Sequence, residues 1–412
     1  MAANVGSLMK LEKMIDGNNH LSAICLTDSK ELIADASSSQ HLQSPSPQNS
    51  SKILRLLDGD PTMYEKFWKQ VGEKATLVIP GWQSMSYYAD IGNVCCFLEQ
   101  ALANQILRLH RLVGNAVTDG RYIVVGTGSS QLFQAVLYAL SLPASDKPVD
   151  VVSVSPFYVS YPTMTDFLKS GLYEWAGDAS IYKKDGPFIE LVNSPSNPDG
   201  SSRKPVVTRT GGRLVHDLPY YWPQYTPISH SADHDIMLFS GSKCTGHAGT
   251  RIGWALVKDR NVAEKMVDFI VLNTMGVSRD SQLRAAKILE VVADGCEGPA
   301  TSESSLFEFG YQSLNERWRL LRQAVQKTGH FTLPSYDPHH CKFSNRTYAT
   351  QPAFAWLKCE GSNEDCEQFL EGLNILARGG DQFGATPNYV RVSLLDRDET
   401  MAEFLSRLRV LA

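Results

Sequence analysis

The segment MLFSGSKCTGHAGTRIGWALV, residues 237–257, holds one lysine in a polar stretch between two apolar runs. Lys243 follows two serines, and Arg251 lies eight residues later among glycines. A lysine in a glycine-rich turn can hold a phosphate, act as a base, become a covalent nucleophile or remain solvated. An ammonium buried at the end of an apolar strand is costly, so Lys243 is a candidate for a lowered pKa and for imine chemistry.

The turn GTGSSQ is a second candidate for chemistry. It puts Gly128, Ser129 and Ser130 after the apolar run IVVG and at the start of a helix-like segment. Backbone N–H groups and the helix dipole favour an anion at such a place. The turn lacks the third glycine of a dinucleotide-binding fingerprint, and the chain has no GxxxxGK[ST] motif. A plain strand-to-helix turn therefore remains an alternative.

Further polar residues each allow both a structural and a chemical interpretation. Asn197 lies in SNPDG, which is itself a turn sequence, and Asp217 ends the run RLVH, where an acid can cap a helix. Arg251 suits either a salt bridge or a bidentate contact with a phosphate. In chain order the set contains the glycine-serine turn, an aromatic residue after Pro156, Asn197, Asp217 with Tyr220, Ser240 with Lys243, Arg251 and Arg391.

One cofactor needs this combination of groups. Pyridoxal phosphate requires an amine for its aldehyde, a carboxylate for its ring nitrogen and donors for its phenolate oxygen. It also requires an aromatic face and a cup for its phosphate. The ordered set offers all of these, so the sequence predicts a pyridoxal phosphate site.

The elements that must position these residues follow an α/β pattern. From residue 121 onward, short apolar runs end in polar residues and alternate with segments of helical periodicity. This pattern predicts a mostly parallel sheet flanked by helices. Ligands bind outside the carboxyl ends of such strands, where the candidate residues fall. Three helical segments follow residue 258, and PAFAWLKC, NYVRVSLL and ETMAEFLSRLRVL predict a smaller α+β unit.

A chain of 412 residues exceeds the size at which one core usually keeps growing, so we expect two domains. Residues 36–51 are rich in Ser, Gln and Pro and cannot repay their ordering entropy. The predicted organisation is a mobile N-terminal tail over 1–50, an N-terminal part of the small domain over 51–85, a large domain over 86–305, and an interdomain helix with the C-terminal small domain over 306–412.

Composition argues against several kinds of partner. The formal net charge of −5 and the pI near 6.1 give no basic footprint for nucleic acid or an anionic membrane. No apolar run approaches the ~18 residues of a membrane span, and the N-terminus lacks the order of a secretory signal. The eight cysteines are scattered without a CxxC pair, which predicts free thiols in a reducing compartment. We therefore expect a soluble cytoplasmic protein with small-molecule partners.

The chain resembles a fold-type I pyridoxal phosphate aminotransferase, and within that class it is similar to the plant tryptophan aminotransferases of the alliinase-related group. The similarity runs from GDPTMYEKFW at residue 59 through GTGSSQL, SPFY, NSPSNPDG, VHDLPYYWPQYTPI, SGSKCTGHAGTRIGWALVKD and VRVSLL. It implies pyridoxal 5′-phosphate as cofactor, L-tryptophan as amino donor and a 2-oxo acid, pyruvate or 2-oxoglutarate, as acceptor. The implied product is indole-3-pyruvate, the entry to auxin synthesis in plants.

The resemblance also implies a role for each site residue. Lys243 would bond to the cofactor aldehyde and move the proton, and Asp217 would pair with the ring nitrogen. Asn197 and Tyr220 would hold the phenolate oxygen, Tyr158 would stack on the ring, Gly128, Ser129, Ser130, Ser240 and Arg251 would surround the phosphate, and Arg391, with Gly59 and Asn197, would bind the substrate. Tyr87 resembles the aromatic residue that reaches the neighbouring subunit's phosphate, which implies a homodimer with the active site at the subunit interface.

Two rival functions remain. The lyase branch of the same group eliminates at Cβ of cysteine sulfoxides, but it carries a cysteine-rich N-terminal module and a secretory signal that we do not find here. Ser240 and Lys243 also fit the S-x-x-K motif of serine acyl enzymes, with Lys327-Thr328-Gly329 as a K-T-G. That motif needs its serine at the start of a helix and its K-T-G on a strand, whereas here SGSK closes a strand and KTG closes a helix.

Overall fold

The computed structural model describes residues 52–141, 147–298, 301, 303–361 and 365–411. The predicted tail at residues 1–50 lies outside this part of the chain. Residues 51–412 form a compact unit of their own, within which the proposed division into a large and a small domain stays a prediction.

Strands and helices are interspersed through the first two thirds of this unit, with β4 to β7 following one another without an α-helix between them. The strands are β1 (Leu54–Arg55), β2 (Tyr122–Thr127), β3 (Val149–Ser153), β4 (Tyr173–Asp178), β5 (Phe188–Asn193), β6 (Gly212–Asp217), β7 (Ile236–Ser240), β8 (Ile252–Val257), β9 (Phe331–Thr332), β10 (Pro338–Cys341), β11 (Arg346–Ala349), β12 (Phe354–Cys359), β13 (Ile375–Leu376), β14 (Arg378–Gly379) and β15 (Tyr389–Ser393). The helices are α1 (Glu65–Val71), α2 (Gln100–Val113), α3 (Gly128–Leu140), α4 (Ser160–Asp166), α5 (Gly241–Cys244), α6 (Arg260–Thr274), α7 (Arg279–Glu297), α8 (Leu306–Thr328), α9 (Cys366–Glu371) and α10 (Asp398–Arg409). Short 3-10 helices cover Thr62–Tyr64, Gly72–Ala75, Ala179–Ile181, Ala248–Thr250 and Gly380–Phe383.

The main sheet has seven strands in the order β2-β8-β7-β6-β5-β3-β4. Strand β8 runs antiparallel to both of its neighbours, and the remaining pairs are parallel. Strands β3, β5 and β7 are buried along their whole length because helices cover both faces of a parallel sheet. The predicted α/β fold with a mostly parallel sheet is therefore confirmed.

The C-terminal part contains a four-stranded antiparallel sheet, β14-β15-β12-β9. Helix α8 leads into it and begins with a capping sequence in which the Ser305 side chain accepts a hydrogen bond from the N–H of Glu308. The helix ends at Gly329, whose φ of 65° is the left-handed conformation that glycine tolerates best. Strand β1 pairs in parallel with β13, which brings the start of the described chain beside the C-terminal sheet.

The two aromatic segments of the sequence have different environments. In LPYYWPQY, Tyr220, Trp222 and Tyr225 are at most 5% exposed and belong to the hydrophobic core. In GWQSMSYY, Trp82 is 76% exposed and Tyr87 is 67% exposed. The first segment is therefore largely core, and the second lies on the surface of this chain.

Two of the cysteines are bonded to each other, so the prediction that the cysteines are free thiols is wrong for this pair. Cys359 and Cys366 form a disulfide with their Cα atoms 5.6 Å apart, whereas Cys95, Cys96, Cys244, Cys296 and Cys341 are free within the described residues. The pair meets because the backbone N–H groups of Cys359 and Cys366 donate to the adjacent carbonyls of Asn388 and Pro387. Cysteine spacing thus gives no support for a reducing compartment, and the cytoplasmic location stays a prediction.

Among the helices that the structure describes, none is both long and apolar enough to cross a membrane.

Candidate active site

Lys243 lies at the carboxyl end of the main sheet, in the short helix α5 that follows β7. The turn into this helix needs Gly241, because a Cβ there would lie 3.0 Å from the carbonyl oxygen of Ile252. The Nζ atom of Lys243 donates a hydrogen bond to the carbonyl of Gly59. Desolvation, together with the positive charge of Arg391, lowers the pKa of Lys243 to about 8. This brings the neutral, nucleophilic amine within reach of physiological pH.

Asp217 ends strand β6, directly beside Asn193 at the end of β5. Its Oδ2 accepts a hydrogen bond from the hydroxyl of Tyr161 at 2.7 Å. Its Oδ1 is buried and has no hydrogen-bond partner among the described residues. Burial raises the pKa of Asp217 to about 6, and the hydrogen bond from Tyr161 opposes that rise. The carboxylate therefore offers one free, buried acceptor.

Arg391, on strand β15, is 3% exposed. Its Nη1 donates to Oδ1 of Asn197 at 2.9 Å, and its Nη2 donates to the carbonyl of Leu57. The guanidinium carbon lies 4.1 Å from the ring centroid of Phe354 and 5.2 Å from that of Phe383. Burial lowers the pKa of Arg391 to about 10. Its Nε has no partner in the part of the chain that the structure describes, and an anion would satisfy this buried donor.

Gly59 and Tyr220 connect the lysine with the arginine. A Cβ on Gly59 would lie 2.9 Å from the ring of Phe354 and 3.1 Å from Nζ of Lys243, so a side chain has no room there. Tyr220 packs its ring edge-on against Phe354 at 5.7 Å. Burial raises the pKa of Tyr220, which keeps its hydroxyl protonated as a donor. These residues form one cluster around Lys243.

The predicted phosphate cup lies at the N-terminus of α3. Gly128 has a φ of 73°, and a Cβ there would come within 2.5 Å of Nη2 of Arg251. Ser129 and Ser130 follow in the first turn of the helix. Ser240 ends β7 opposite Gly253 of β8, and a Cβ on Gly253 would lie 2.6 Å from the backbone nitrogen of Ser129. A helix N-terminus beside a guanidinium suits a phosphate group.

The two predicted aromatic contacts differ in position. Tyr158 meets Tyr161 edge-on at 5.4 Å and so lies close to Asp217. Tyr87 is held at the surface, where Arg279 donates to the carbonyls of its neighbours Ser86 and Tyr88. Within the described part of a single chain, Tyr87 makes no hydrogen bond or ring contact with the other site residues.

Three residues of this site were not predicted from the sequence. Tyr161 holds Asp217, and Phe354 and Phe383 flank Arg391. Tyr161 follows the predicted Tyr158 by three residues, a spacing that places two side chains on one side of a helical turn. That spacing is a usable signal for Tyr161. Phe354 and Phe383 come from distant segments, and no local pattern marks them.

The residues present fit pyridoxal phosphate. The buried, unpaired Oδ1 of Asp217 suits a protonated ring nitrogen, and the lysine with a lowered pKa suits an aldehyde. The glycine cradle at Gly128 with Arg251 suits a phosphate. The unpaired Nε of Arg391 leaves a donor for a substrate carboxylate. The prediction that SGSK only closes a strand is wrong, because Ser240 ends β7 and is also the N-cap residue of helix α5. The S-x-x-K alternative still lacks its second feature, since Lys327-Thr328-Gly329 closes helix α8 and does not lie on a strand.

Comparison with known families and proteins agrees with this geometry. Residues 54–412 match the family model described as allinase. The chain is 56% identical to tryptophan aminotransferase-related protein 2 of Arabidopsis thaliana over 88% of its length and 82% of that protein. It is 57% identical to tryptophan aminotransferase-related protein 1 of Oryza sativa subsp. japonica, over 88% and 84%. An alliin lyase of Allium cepa is 36% identical over 86% and 75%.

Solved structures show the same fold at low sequence identity. An aminotransferase from Staphylococcus aureus superposes with a TM-score of 0.62 at 17% identity, covering 89% of this chain and 97% of the other. Aspartate aminotransferase from Thermus thermophilus, solved with maleate, gives a TM-score of 0.60 at 17% identity over 87% and 92%.

Proposed function

Since the chain belongs to the allinase family of fold-type I, pyridoxal phosphate-dependent enzymes, we propose that it is an aminotransferase with L-tryptophan as amino donor. The acceptor is a 2-oxo acid, pyruvate or 2-oxoglutarate, and the product is indole-3-pyruvate, the entry to auxin synthesis in plants. Relatives named tryptophan aminotransferase-related reach 57% identity, whereas an alliin lyase reaches 36%, which supports the transaminase branch.

The observation that carries this proposal is that Arg391 and Lys243 both donate hydrogen bonds to the short segment that ends at Gly59. Lys243 bonds to the carbonyl of Gly59, and Arg391 bonds to the carbonyl of Leu57, two residues earlier in the same segment. A substrate carboxylate bound to Arg391 would therefore lie close to Lys243, on whose pKa the charge of Arg391 acts. Donor and acceptor share an α-carboxylate, so one clamp serves both halves of a transamination.

The cofactor, when bound, supplies an aldehyde and a ring that withdraws electrons from the substrate α-carbon. The residues of the chain do the rest. Asp217 holds a proton at the ring nitrogen through its free Oδ1, and Lys243 moves the proton at the α-carbon. Arg391 orients the substrate, and Gly128 with Arg251 anchors the phosphate. Phe354 and Tyr220 offer aromatic surface beside the amine, which suits a flat apolar side chain.

We propose that the enzyme acts as a homodimer. An irregular surface segment between residues 76 and 92 exposes large apolar side chains to a degree uncommon in a monomer. Those that are at least 45% exposed are Val78, Trp82, Met85, Tyr87, Tyr88 and Ile91. A second copy of this chain would cover them and would receive Tyr87 near its own phosphate cup.

The second candidate function is β-elimination from cysteine sulfoxides. The alliin lyase from Allium cepa shares 36% of its residues with this chain over 86% of the chain's length, and loss of a Cβ leaving group needs the same cofactor. The two functions differ in their need for an acceptor. A transaminase needs a 2-oxo acid, whereas a lyase releases pyruvate and ammonia without one.

A donor panel tests the proposal. The purified holoenzyme is given tryptophan, phenylalanine, tyrosine or aspartate at fixed pyruvate, and the same donors with alanine at fixed 2-oxoglutarate, and the new 2-oxo acid is measured. Tryptophan should lead, with phenylalanine and tyrosine slower, because a flat pocket separates them by only about 1–3 kcal/mol. Aspartate or alanine outrunning tryptophan overturns the assigned donor. Pyruvate release from a cysteine sulfoxide without acceptor moves the protein to the lyase branch.

A further inference from the structure

Tyr161 provides the one side-chain hydrogen bond that Asp217 accepts within the described residues. Tyr161 lies in α4, is 1% exposed, and its hydroxyl is 2.7 Å from Oδ2 of Asp217. The other carboxylate oxygen, Oδ1, is buried and unpaired in the same part of the chain. One oxygen of the carboxylate is thus held by the protein and the other is left for a ligand.

The ring of Tyr161 is fixed by two other elements of the site. It stacks on Phe133 with the centroids 5.3 Å apart and the planes 13° from parallel. Phe133 belongs to α3, the helix whose N-terminus holds Gly128 and Ser129. Tyr161 also meets Tyr158 edge-on at 5.4 Å. A single side chain therefore connects the phosphate cup, the ring-stacking residue and the acid.

We propose that Tyr161 is a positioning residue that keeps Asp217 ionised and directs its free Oδ1 toward the ring nitrogen of the cofactor. The proposal concerns cofactor binding, so it holds for whichever amino donor the enzyme uses.

The charges around the pair support this assignment. Burial raises the pKa of Asp217 to about 6, and the hydrogen bond from Tyr161 holds it below the value that burial alone would give. Burial and the adjacent carboxylate raise the pKa of Tyr161 well above its usual range, so the proton stays on the phenol. The charge of Arg203 and the nearby Tyr158 also act on Tyr161, and Asp217 in turn acts on Tyr220. Within the described chain, none of these other groups hydrogen-bonds to Asp217.

Removal of the phenol hydroxyl has a pH-dependent consequence. Tyr161 donates the hydrogen bond that lowers the pKa of Asp217 against the effect of burial, so its removal should raise that pKa above about 6. A neutral carboxyl group no longer favours a protonated ring nitrogen. The loss should therefore be large at and below neutral pH and should disappear at higher pH, where Asp217 ionises again.

The test is Tyr161→Phe, which removes only the oxygen, with cofactor affinity as the readout. Apoprotein is titrated with pyridoxal phosphate at a series of pH values, and the Kd is followed by absorbance. We expect a Kd about tenfold higher at neutral pH, converging on the wild-type value about one to two pH units above it. The matched control is Tyr182→Phe, which removes a Tyr–Asp hydrogen bond of the same 2.7 Å length, to Asp150, outside the site. This control should leave the Kd unchanged.

A second variant, Asp217→Asn, distinguishes a positioning role of Tyr161 from a role in packing alone. In Asp217→Asn the group at position 217 cannot ionise, so adding Tyr161→Phe should cause no pH-dependent change in Kd. Equal losses in both backgrounds at all pH values, or an unchanged Kd for Tyr161→Phe, would overturn the proposal.

If Tyr161→Phe does not accumulate in folded form, difluorotyrosine at position 161 keeps the contact with a more acidic donor. It should move the acid limb of cofactor binding to lower pH, and a limb that stays in place would also overturn the proposal.

Discussion

Replacing Arg391 by lysine tests the carboxylate clamp most directly. The change keeps one positive charge but removes the planar fork that donates to Asn197 and to the carbonyl of Leu57 at the same time. It also weakens the contacts of the guanidinium with the rings of Phe354 and Phe383. A compact ammonium cannot make all these contacts and also bind a carboxylate with two parallel hydrogen bonds.

The magnitude of the loss follows from these contacts. One charge-assisted hydrogen bond to the substrate carboxylate is worth about 1.5–3 kcal/mol, so kcat/KM should fall about 10- to 100-fold. Leaving the buried Oδ1 of Asn197 without its donor should lower the free energy of unfolding by about 1–3 kcal/mol. The Kd for the cofactor should change less than KM, because the substitution keeps the positive charge that acts on Lys243.

The assay measures both half-reactions with the purified holoenzyme. KM should rise for the amino donor and for the 2-oxo acid together, since both present the same α-carboxylate to Arg391. The control is Arg378→Lys. Arg378 lies opposite Arg391 in the β14–β15 pair and also donates to the carbonyl of Leu57, but its ion pair is with Asp58. We expect Arg378→Lys to change stability more than KM. Unchanged KM values in Arg391→Lys with a lower Tm would assign Arg391 a structural role.

Four further predictions concern the amine, the acid and the glycine. Lys243→Ala should abolish transamination while cofactor binding stays measurable by dialysis, and near-normal turnover would show that another lysine is the nucleophile. In the wild-type apoprotein, the rate of covalent cofactor capture should rise with pH and level off above about pH 8, because only the neutral amine reacts and burial lowers the pKa of Lys243 to about 8. Stopped-flow absorbance measures this rate. A plateau reached only near pH 10 would contradict the prediction. Asp217→Asn should fold normally but turn over about 100- to 1,000-fold more slowly, as expected for the loss of a central electrostatic contact, and unchanged kcat would point to another partner for the ring nitrogen. Gly59→Ala places a Cβ 2.9 Å from the Phe354 ring, so substrate KM should rise and stability fall by about 1–3 kcal/mol in thermal unfolding; a neutral effect would mean that the segment shifts without cost.

The strands and the order of the site residues were accessible from sequence. Strands β5 and β7 read as short apolar runs because helices cover both faces of the sheet, and this leaves a continuous local signal. Asp217 and Lys243 follow the ends of such runs, and ligands gather at the carboxyl ends of parallel strands. Helix α8 was also predictable, since its apolar periodicity is long and Ser305 and Gly329 mark its ends.

Other features arise only when distant segments meet. The antiparallel direction of β8 between β2 and β7 has no local signature, because a buried strand is apolar whichever way it runs. The sequence spacing of Cys359 and Cys366 did not indicate a disulfide, since their pairing depends on how β12 and α9 both hydrogen-bond to the segment before β15. Residue type and local periodicity cannot encode such register.

In the site, too, some features follow from the sequence and others from the tertiary structure. The sequence by itself determined which residue types are present and in what order, including the lysine, the acid and the late arginine. The tertiary structure decided that Lys243 bonds to a carbonyl 184 residues away and that Arg391 bonds to an asparagine 194 residues away. It also decided that Tyr161 holds Asp217. Contacts of this range depend on sheet register and on how the C-terminal sheet meets loops of the main sheet, such as the one that holds Asn197. These are set by the sum of many buried contacts rather than by any single stretch of chain.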